Sequence, residues 1–275
     1  MQSYDGTPLF VTDSLIGSAS SAGGIVLMHG LGEHSGRYLR VVQFLNACGW
    51  SVRAFDHRGH GRSGGARGDV PASDAILRDA KILIDDFTQQ IGSPPLLFGH
   101  SMGGLFAARF ATGQCSPLSG LILSSPPLAL PLTTVQSILF KVLKTVAPGL
   151  AISTGLKSRW VSHDPIVVAA CESDPLVHSK ISARLLGSML DAVNFCMSHT
   201  AALHVPTLML IAGDDHIVDS SGSTHFFQKL AEGVGMLHTY PNFYHEVLNE
   251  MNAQCVFDDL RAWLMHRAPS VTKTS

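Results

Sequence analysis

The 275-residue chain is expected to fold as an α/β structure with a mostly parallel sheet and helices on both faces. Three observations predict it. Short β-branched and leucine-rich runs alternate with stretches of helical period. One of those runs stops at a serine set between glycines. The alternation breaks once, between about residues 128 and 203, and then resumes.

An edge strand is expected over residues 10–15, followed by a turn in the Ser/Ala/Gly stretch 17–24 and a buried strand over 24–28 that ends at His29-Gly30. A helix over 38–48 leads to a strand over 51–55, and a helix over 74–90 leads to the apolar run before Ser101. A nucleophile helix follows, then a strand over 120–124 that stops at Pro126-Pro127. From 128 to 203 no strand-like run is expected. The segment instead carries helical stripes: Val135, Ile138, Leu139, Val142, Leu143 and Val146 in one, and Leu185, Leu186, Met189, Leu190 and Val193 in a helix expected over 180–195. Most of these residues are expected to pack within the segment, and a minority to face a pocket. Residues 1–127 and 204–275 are thus expected to form the core, with 128–203 an inserted helical cap over the carboxyl edge of the sheet, where open α/β sheets bind ligands. The last elements are a strand over 206–212, a helix over 221–232, a strand over 236–240 and a helix over 252–266. The tail after Ala268 is expected to fray.

Composition narrows the function. Charged residues make up 15% of the chain and the formal net charge is −2, so there is no basic stripe for a nucleic-acid partner. Prolines 126, 127 and 131 interrupt the longest apolar stretches, so no membrane span is expected. The first residues have neither a basic start nor an apolar core, so no secretory signal is expected. The five cysteines are scattered without a CxxC pair and read as reduced thiols of a cytoplasmic protein.

The chemistry starts at Gly99-His-Ser-Met-Gly103, in which a strand turns into a helix at a serine. A turn this tight strains the central residue and lifts its hydroxyl clear of the sheet, which makes Ser101 the candidate nucleophile. The same pattern recurs at Gly61-Arg-Ser-Gly-Gly65, but no helical period follows it, and Ser63 is set aside. A serine hydroxyl needs an imidazole base, and the imidazole needs a carboxylate to hold its tautomer. Among the 14 histidines, His245 lies in the loop after the last strand, where it can reach over the turn. The loop after residue 212 offers Asp214, Asp215 and Asp219, and chemistry alone does not separate Asp214 from Asp215. The order Ser, Asp, His is that of the α/β-hydrolases. The amides of Leu31 and Met102 are expected to form the oxyanion hole. His245-Glu-Val-Leu-Asn249 lacks the second histidine of a zinc-binding HExxH, so no metal is expected, and this chemistry needs no cofactor.

With these residues placed, the chain resembles the monoacylglycerol lipase and lysophospholipase family of α/β-hydrolase-fold serine hydrolases. The resemblance runs nearly the whole length. It rests on His29-Gly-Leu-Gly-Glu-His-Ser-Gly-Arg-Tyr38, Asp56-His-Arg-Gly-His-Gly-Arg-Ser63, Gly99-His-Ser-Met-Gly-Gly104, Ser162-His-Asp-Pro165, Ser173-Asp-Pro-Leu-Val177, Asp215-His-Ile-Val-Asp219 and Tyr244-His245. It selects Asp215 as the acid. It implies release of a fatty acid from a glycerol monoester, with the acyl chain held under a mobile helical cap that can touch membranes transiently, so that the protein sits at the periphery of a membrane. It places His178 on the pocket side, where it could bind a glycerol hydroxyl. The cap is the least similar part, which leaves lysophospholipids and short-chain carboxylic esters as alternative substrates. A ligand-binding receptor that kept the fold and lost turnover would show a broken triad, and none is broken here.

Overall fold

A computed structural model of the protein describes residues 1–17 and 21–267. Residues 18–20 of the expected turn and the tail expected to fray lie outside the described residues. In chain order the elements are β1 (Val11–Ser14), β2 (Gly23–Met28), α1 (Leu39–Ala47), β3 (Trp50–Phe55), α2 (Ala75–Ile91), β4 (Leu96–His100), α3 (Met102–Thr112), β5 (Gly120–Ser124), α4 (Thr134–Val146), β6 (Ala151–Ser153), α5 (Pro165–Ser173), β7 (Lys180–Ser182), α6 (Ala183–Ser198), β8 (Thr207–Ala212), α7 (Ser221–Gln228), β9 (Gly235–Tyr240) and α8 (Gln254–Met265). The main sheet has the order β1-β3-β2-β4-β5-β8-β9. β1 runs antiparallel to β3, and the other pairings are parallel.

Strand periodicity explains the two hydrophobic layers. Val26 and Met28 of β2 and Leu97 of β4 join Leu83 and Phe87 of α2, Phe106 and Phe110 of α3 and Phe226 of α7 on one face. Their neighbours Ile25, Leu27, Leu96 and Phe98 join Leu45 of α1 and Phe257, Leu260 and Trp263 of α8 on the other. A parallel sheet covered on both sides needs apolar residues at successive positions, which is why these strands read as unbroken apolar runs. β4 lies between β2 and β5, so the serine at its end stands near the middle of the sheet.

The segment between β5 and β8 departs from the sequence reading in three ways. β6 and β7 pair as a two-stranded antiparallel ribbon where no strand was expected. Three-residue strands are too short to show alternation, and each finds its partner only through the fold. The helix expected to begin at residue 180 begins at Ala183, because the Ser182 hydroxyl accepts from the Leu185 amide (3.0 Å) and caps it there. The third departure is α4. It buries none of its residues, and Val135, Ile138, Val142 and Val146 are exposed, contrary to the expectation that most of the stripe packs. α6 does pack, placing Leu185, Met189, Ala192 and Cys196 in the same apolar layer as α3. α5 starts where Asp164 caps it and Pro165 occupies its first position, a helix start that the apolar stripes of the segment do not mark.

No helix among the described residues is long and apolar enough to cross a membrane.

Candidate active site

Ser101 joins β4 to α3 with φ 51° and ψ −125°, a backbone region that costs a non-glycine residue free energy. Its amide donates to the Ser124 carbonyl (2.8 Å) on the neighbouring strand, which holds the turn in place. The flanking glycines are steric requirements. A Cβ on Gly103 would lie 2.2 Å from the Met28 carbonyl oxygen, and one on Gly99 would lie 2.4 Å from that of Gly103.

His245, in the loop after β9, places Nε2 2.8 Å from Ser101 Oγ and Nδ1 2.7 Å from Asp215 Oδ2. An ionised carboxylate only accepts, so Nδ1 carries the proton and Nε2 is left to accept from the serine hydroxyl. The second oxygen of Asp215 accepts from the amides of Ile217 (2.8 Å) and Val218 (2.9 Å). Burial pushes the Asp215 carboxyl up, but the hydrogen bond and charge of His245 and these two amides outweigh it and hold the group below the usual carboxylate range. Asp214, exposed, faces His216 instead (3.1 Å). Fold geometry thus separates the two aspartates that chemistry left open. Ser63 serves as a tie: its hydroxyl donates to the Asp56 carbonyl (2.6 Å) and accepts from the Phe10 amide (2.9 Å).

Facing the serine is the turn after β2. Gly30 is pinned on both sides, its amide donating to Glu33 Oε1 (2.5 Å) and its carbonyl accepting from His29 Nδ1 (2.7 Å). Among the described residues the Leu31 amide that follows has no acceptor, and Met102, first in α3, has none within its helix. Burial pushes the Glu33 carboxyl up, but the charge of Arg37, with His100, His29 and the Tyr38 hydroxyl, outweighs it and brings the group down to about 2. His178 lines the cavity beside this turn, and its amide donates to the Gly32 carbonyl (2.7 Å). Its Nε2 donates to the Gly59 carbonyl (3.0 Å) and its Nδ1 accepts from the Lys180 amide (3.2 Å). Both ring nitrogens therefore have protein partners, while the residue stays in the cavity lining where the resemblance places it.

Two cavities share Ser101 and Leu31. One, of about 360 Å³, is walled by Leu139, Phe140 and Leu143 of α4, Leu186 and Met189 of α6, and Val218. The other, of about 320 Å³, holds Glu33, Arg37 and Glu246. Glu246 appeared in the sequence only as the second letter of the rejected metal motif. Glu33 precedes a short 3-10 turn that carries Arg37 and brings the two into an ion pair (2.8 Å), a pairing no regular periodicity in the sequence marks. Among the described residues no three His, Cys, Asp or Glu side chains are arranged to hold a metal ion.

Residues 19–252 match the family described as serine aminopeptidase, S33. A monoacylglycerol lipase from Mycolicibacterium smegmatis is 35% identical over 254 residues, covering 88% of each chain. Phospholipase YtpA from Bacillus subtilis is 32% identical over 87% of this chain and 93% of its own length. The crystal structure of Paleococcus ferrophilus monoacylglycerol lipase superposes with a TM-score of 0.85 at 33% identity, covering 94% of this chain and 99% of that one. The match to the family over most of the chain, joined to an α/β-hydrolase sheet, makes the protein a carboxylic ester hydrolase belonging to the monoacylglycerol lipase and lysophospholipase family of serine hydrolases.

Proposed function

We propose that the chain hydrolyses monoacylglycerols through an acyl-enzyme on Ser101. The observation that carries this reading is the position of the Ser101 hydroxyl, 2.8 Å from His245 Nε2 and at the junction of an apolar and a polar cavity. His245 takes the serine proton as Oγ attacks the ester carbonyl, and Asp215 stabilises the resulting imidazolium. The Leu31 and Met102 amides stabilise the oxyanion, a contribution worth about 10²- to 10³-fold per donor. His245 then protonates the leaving glycerol, and water, activated by the same imidazole, releases the fatty acid.

The acyl chain occupies the cavity under α4 and α6, and glycerol occupies the one beside Arg37. Residues 1–127 and 204–275 act as the catalytic core and 128–203 as the cap. The exposed apolar face of α4 adjoins the acyl cavity, which supports transient contact with a lipid surface from which substrate enters. Five free thiols fit a reducing cytoplasmic setting for such a peripheral enzyme.

The test is hydrolysis of monoacylglycerols of graded chain length beside a lysophosphatidylcholine and an aryl ester. Each buried methylene contributes about 0.8 kcal/mol, so kcat/KM should climb with chain length until the apolar cavity is full. A flat chain-length profile, or a preference for lysophosphatidylcholine at matched acyl length, overturns the reading.

A further inference from the structure

The polar cavity holds a cation that is already taken. Arg37 Nη1 donates to Glu33 Oε2 (2.8 Å) and to Glu246 Oε1 (2.7 Å), and Nη2 donates to Glu246 Oε2 (3.0 Å). The pair with Glu246 is bidentate, the fork arrangement by which a guanidinium grips a carboxylate or a phosphate. Glu246 is itself fixed. Its amide donates to the Val161 carbonyl (2.8 Å), and its Oε2 also accepts from Asn249 Nδ2 (2.8 Å). Both carboxylates are buried, and one guanidinium between two of them leaves the inner wall with a formal charge of −1. Glu172 and Asp174, the latter bonded to His34 Nε2 (2.8 Å), add further acidic groups to the lining, and exposed Lys157 is the other Lys or Arg there.

We propose that Glu246 is a specificity residue: by occupying the Arg37 fork it closes the alcohol side of the site to phosphate-bearing headgroups and keeps it for uncharged alcohols. The inference rests on the assignment of this cavity to the leaving alcohol. An anionic headgroup entering it meets like charge and finds the Nη1/Nη2 fork already held by a carboxylate, an arrangement that rejects the wrong ligand through repulsion as well as through missing contacts. Removing the charge at 246 leaves Glu33 as the one carboxylate on Arg37, with a single neutral acceptor at 246. That weaker contact no longer holds the Nη1/Nη2 fork against a phosphate, and the site acquires the phosphate grip that it lacks. Because Glu246 directly follows His245, the device sits on the loop that carries the base without touching the reacting atoms.

The experiment measures kcat/KM for a monoacylglycerol and for a lysophosphatidate of the same acyl chain, in the wild type, Glu246→Gln and Glu246→Gln/Arg37→Met. The glutamine keeps the shape and a hydrogen-bond acceptor but not the charge. The ratio of lysophosphatidate to monoacylglycerol turnover should rise about tenfold or more in Glu246→Gln, and the gain should vanish in the double variant. A ratio unchanged in Glu246→Gln, or a gain that survives loss of Arg37, overturns the proposal. Should Glu246→Gln fail to fold, Glu246→Asp provides the second reading. Its shorter carboxylate cannot keep both bonds to Arg37, so the ratio should rise by a smaller factor, and no rise there is equally fatal. Failure of the wild type on monoacylglycerol at every chain length would strike the functional reading, whereas the variant ratio strikes only the role of Glu246.

Discussion

α3 and α4 both approach Ser101, and they are held in opposite ways. α3 buries nearly every residue from Met102 to Thr112, locked between the sheet and α2 and α6. α4 carries a longer apolar stripe, capped at its start by a reciprocal bond between Thr133 and Gln136, yet it buries nothing. Only Leu139 and Leu143 of that stripe line the apolar cavity, together with Phe140 beside them. The difference shows that an apolar stripe at helical spacing tells which face avoids water without telling what covers it. In α3 the cover is protein. In α4 part of it is the wall of an apolar cavity, and the remainder faces outward.

The largest effect expected falls on the rigid side. Ser101→Ala should lower kcat by about 10⁵- to 10⁶-fold and abolish labelling by a fluorophosphonate probe. Ser63→Ala, the same change in the other copy of the pattern, should keep kcat within a few-fold and instead lower stability by about 1–3 kcal/mol, because it strands the Phe10 amide and the Asp56 carbonyl. Equal losses of activity in the two variants would remove the distinction between nucleophile and tie.

Acid should next find the rigid region first. His29, His57 and His60, in loops at the carboxyl edge of the main sheet, and His100, the last residue of β4, are all buried. Burial, aided by neighbouring imidazoles, lowers His29 to about 4 and His60 and His100 to about 3, with His57 pushed well down in the same way. The unfolded chain protonates these side chains near pH 6.5, while the folded chain resists until lower pH. Between those limits the unfolded state binds more protons, so stability falls as the pH drops. Each group contributes up to about 1.4 kcal/mol per pH unit, and denaturant midpoints measured from pH 7 to pH 5 should fall steeply. Midpoints that stay level over that range would contradict the burial of these neutral rings. Glu33, held ionised down to about 2, should add its own loss only at lower pH.

The segment between β5 and β8 sets its two helices side by side, and the smallest effect of all is expected in α4. Leu185→Ala in α6 should cost about 2–5 kcal/mol, because it opens a hole in the layer shared with α3. Ile138→Ser in α4, where the side chain is 59% exposed, should change stability by no more than about 0.5 kcal/mol while reducing partition onto lipid vesicles. If both changes cost the same stability, α4 is packed after all and the contrast dissolves.

Much of this was legible before any coordinates. Continuous apolar runs marked the buried parallel strands, because a sheet covered on both faces demands them. The strand, serine and helix marked the elbow, because only glycine leaves room for the Met28 and Gly103 carbonyls. The ribbon of β6 and β7 was not legible, since three residues carry no usable period and the pairing joins distant segments. Nor was the setting of His178. Its ring nitrogens are claimed by the Gly59 carbonyl and the Lys180 amide, and no sequence spacing brings residues 59 and 178 together.

The sequence by itself determined the order of the main-sheet strands and the helices between them, the residue type at the elbow and the set of side chains able to do acyl-transfer chemistry, because those depend on local sterics and on periodicity. Tertiary structure decided which of two adjacent aspartates meets His245, that Glu246 closes on Arg37, and which apolar stripe stays uncovered. Each of these is a contact between segments far apart in the chain, and its strength depends on burial and direction that exist only once the sheet has brought the loops to one edge.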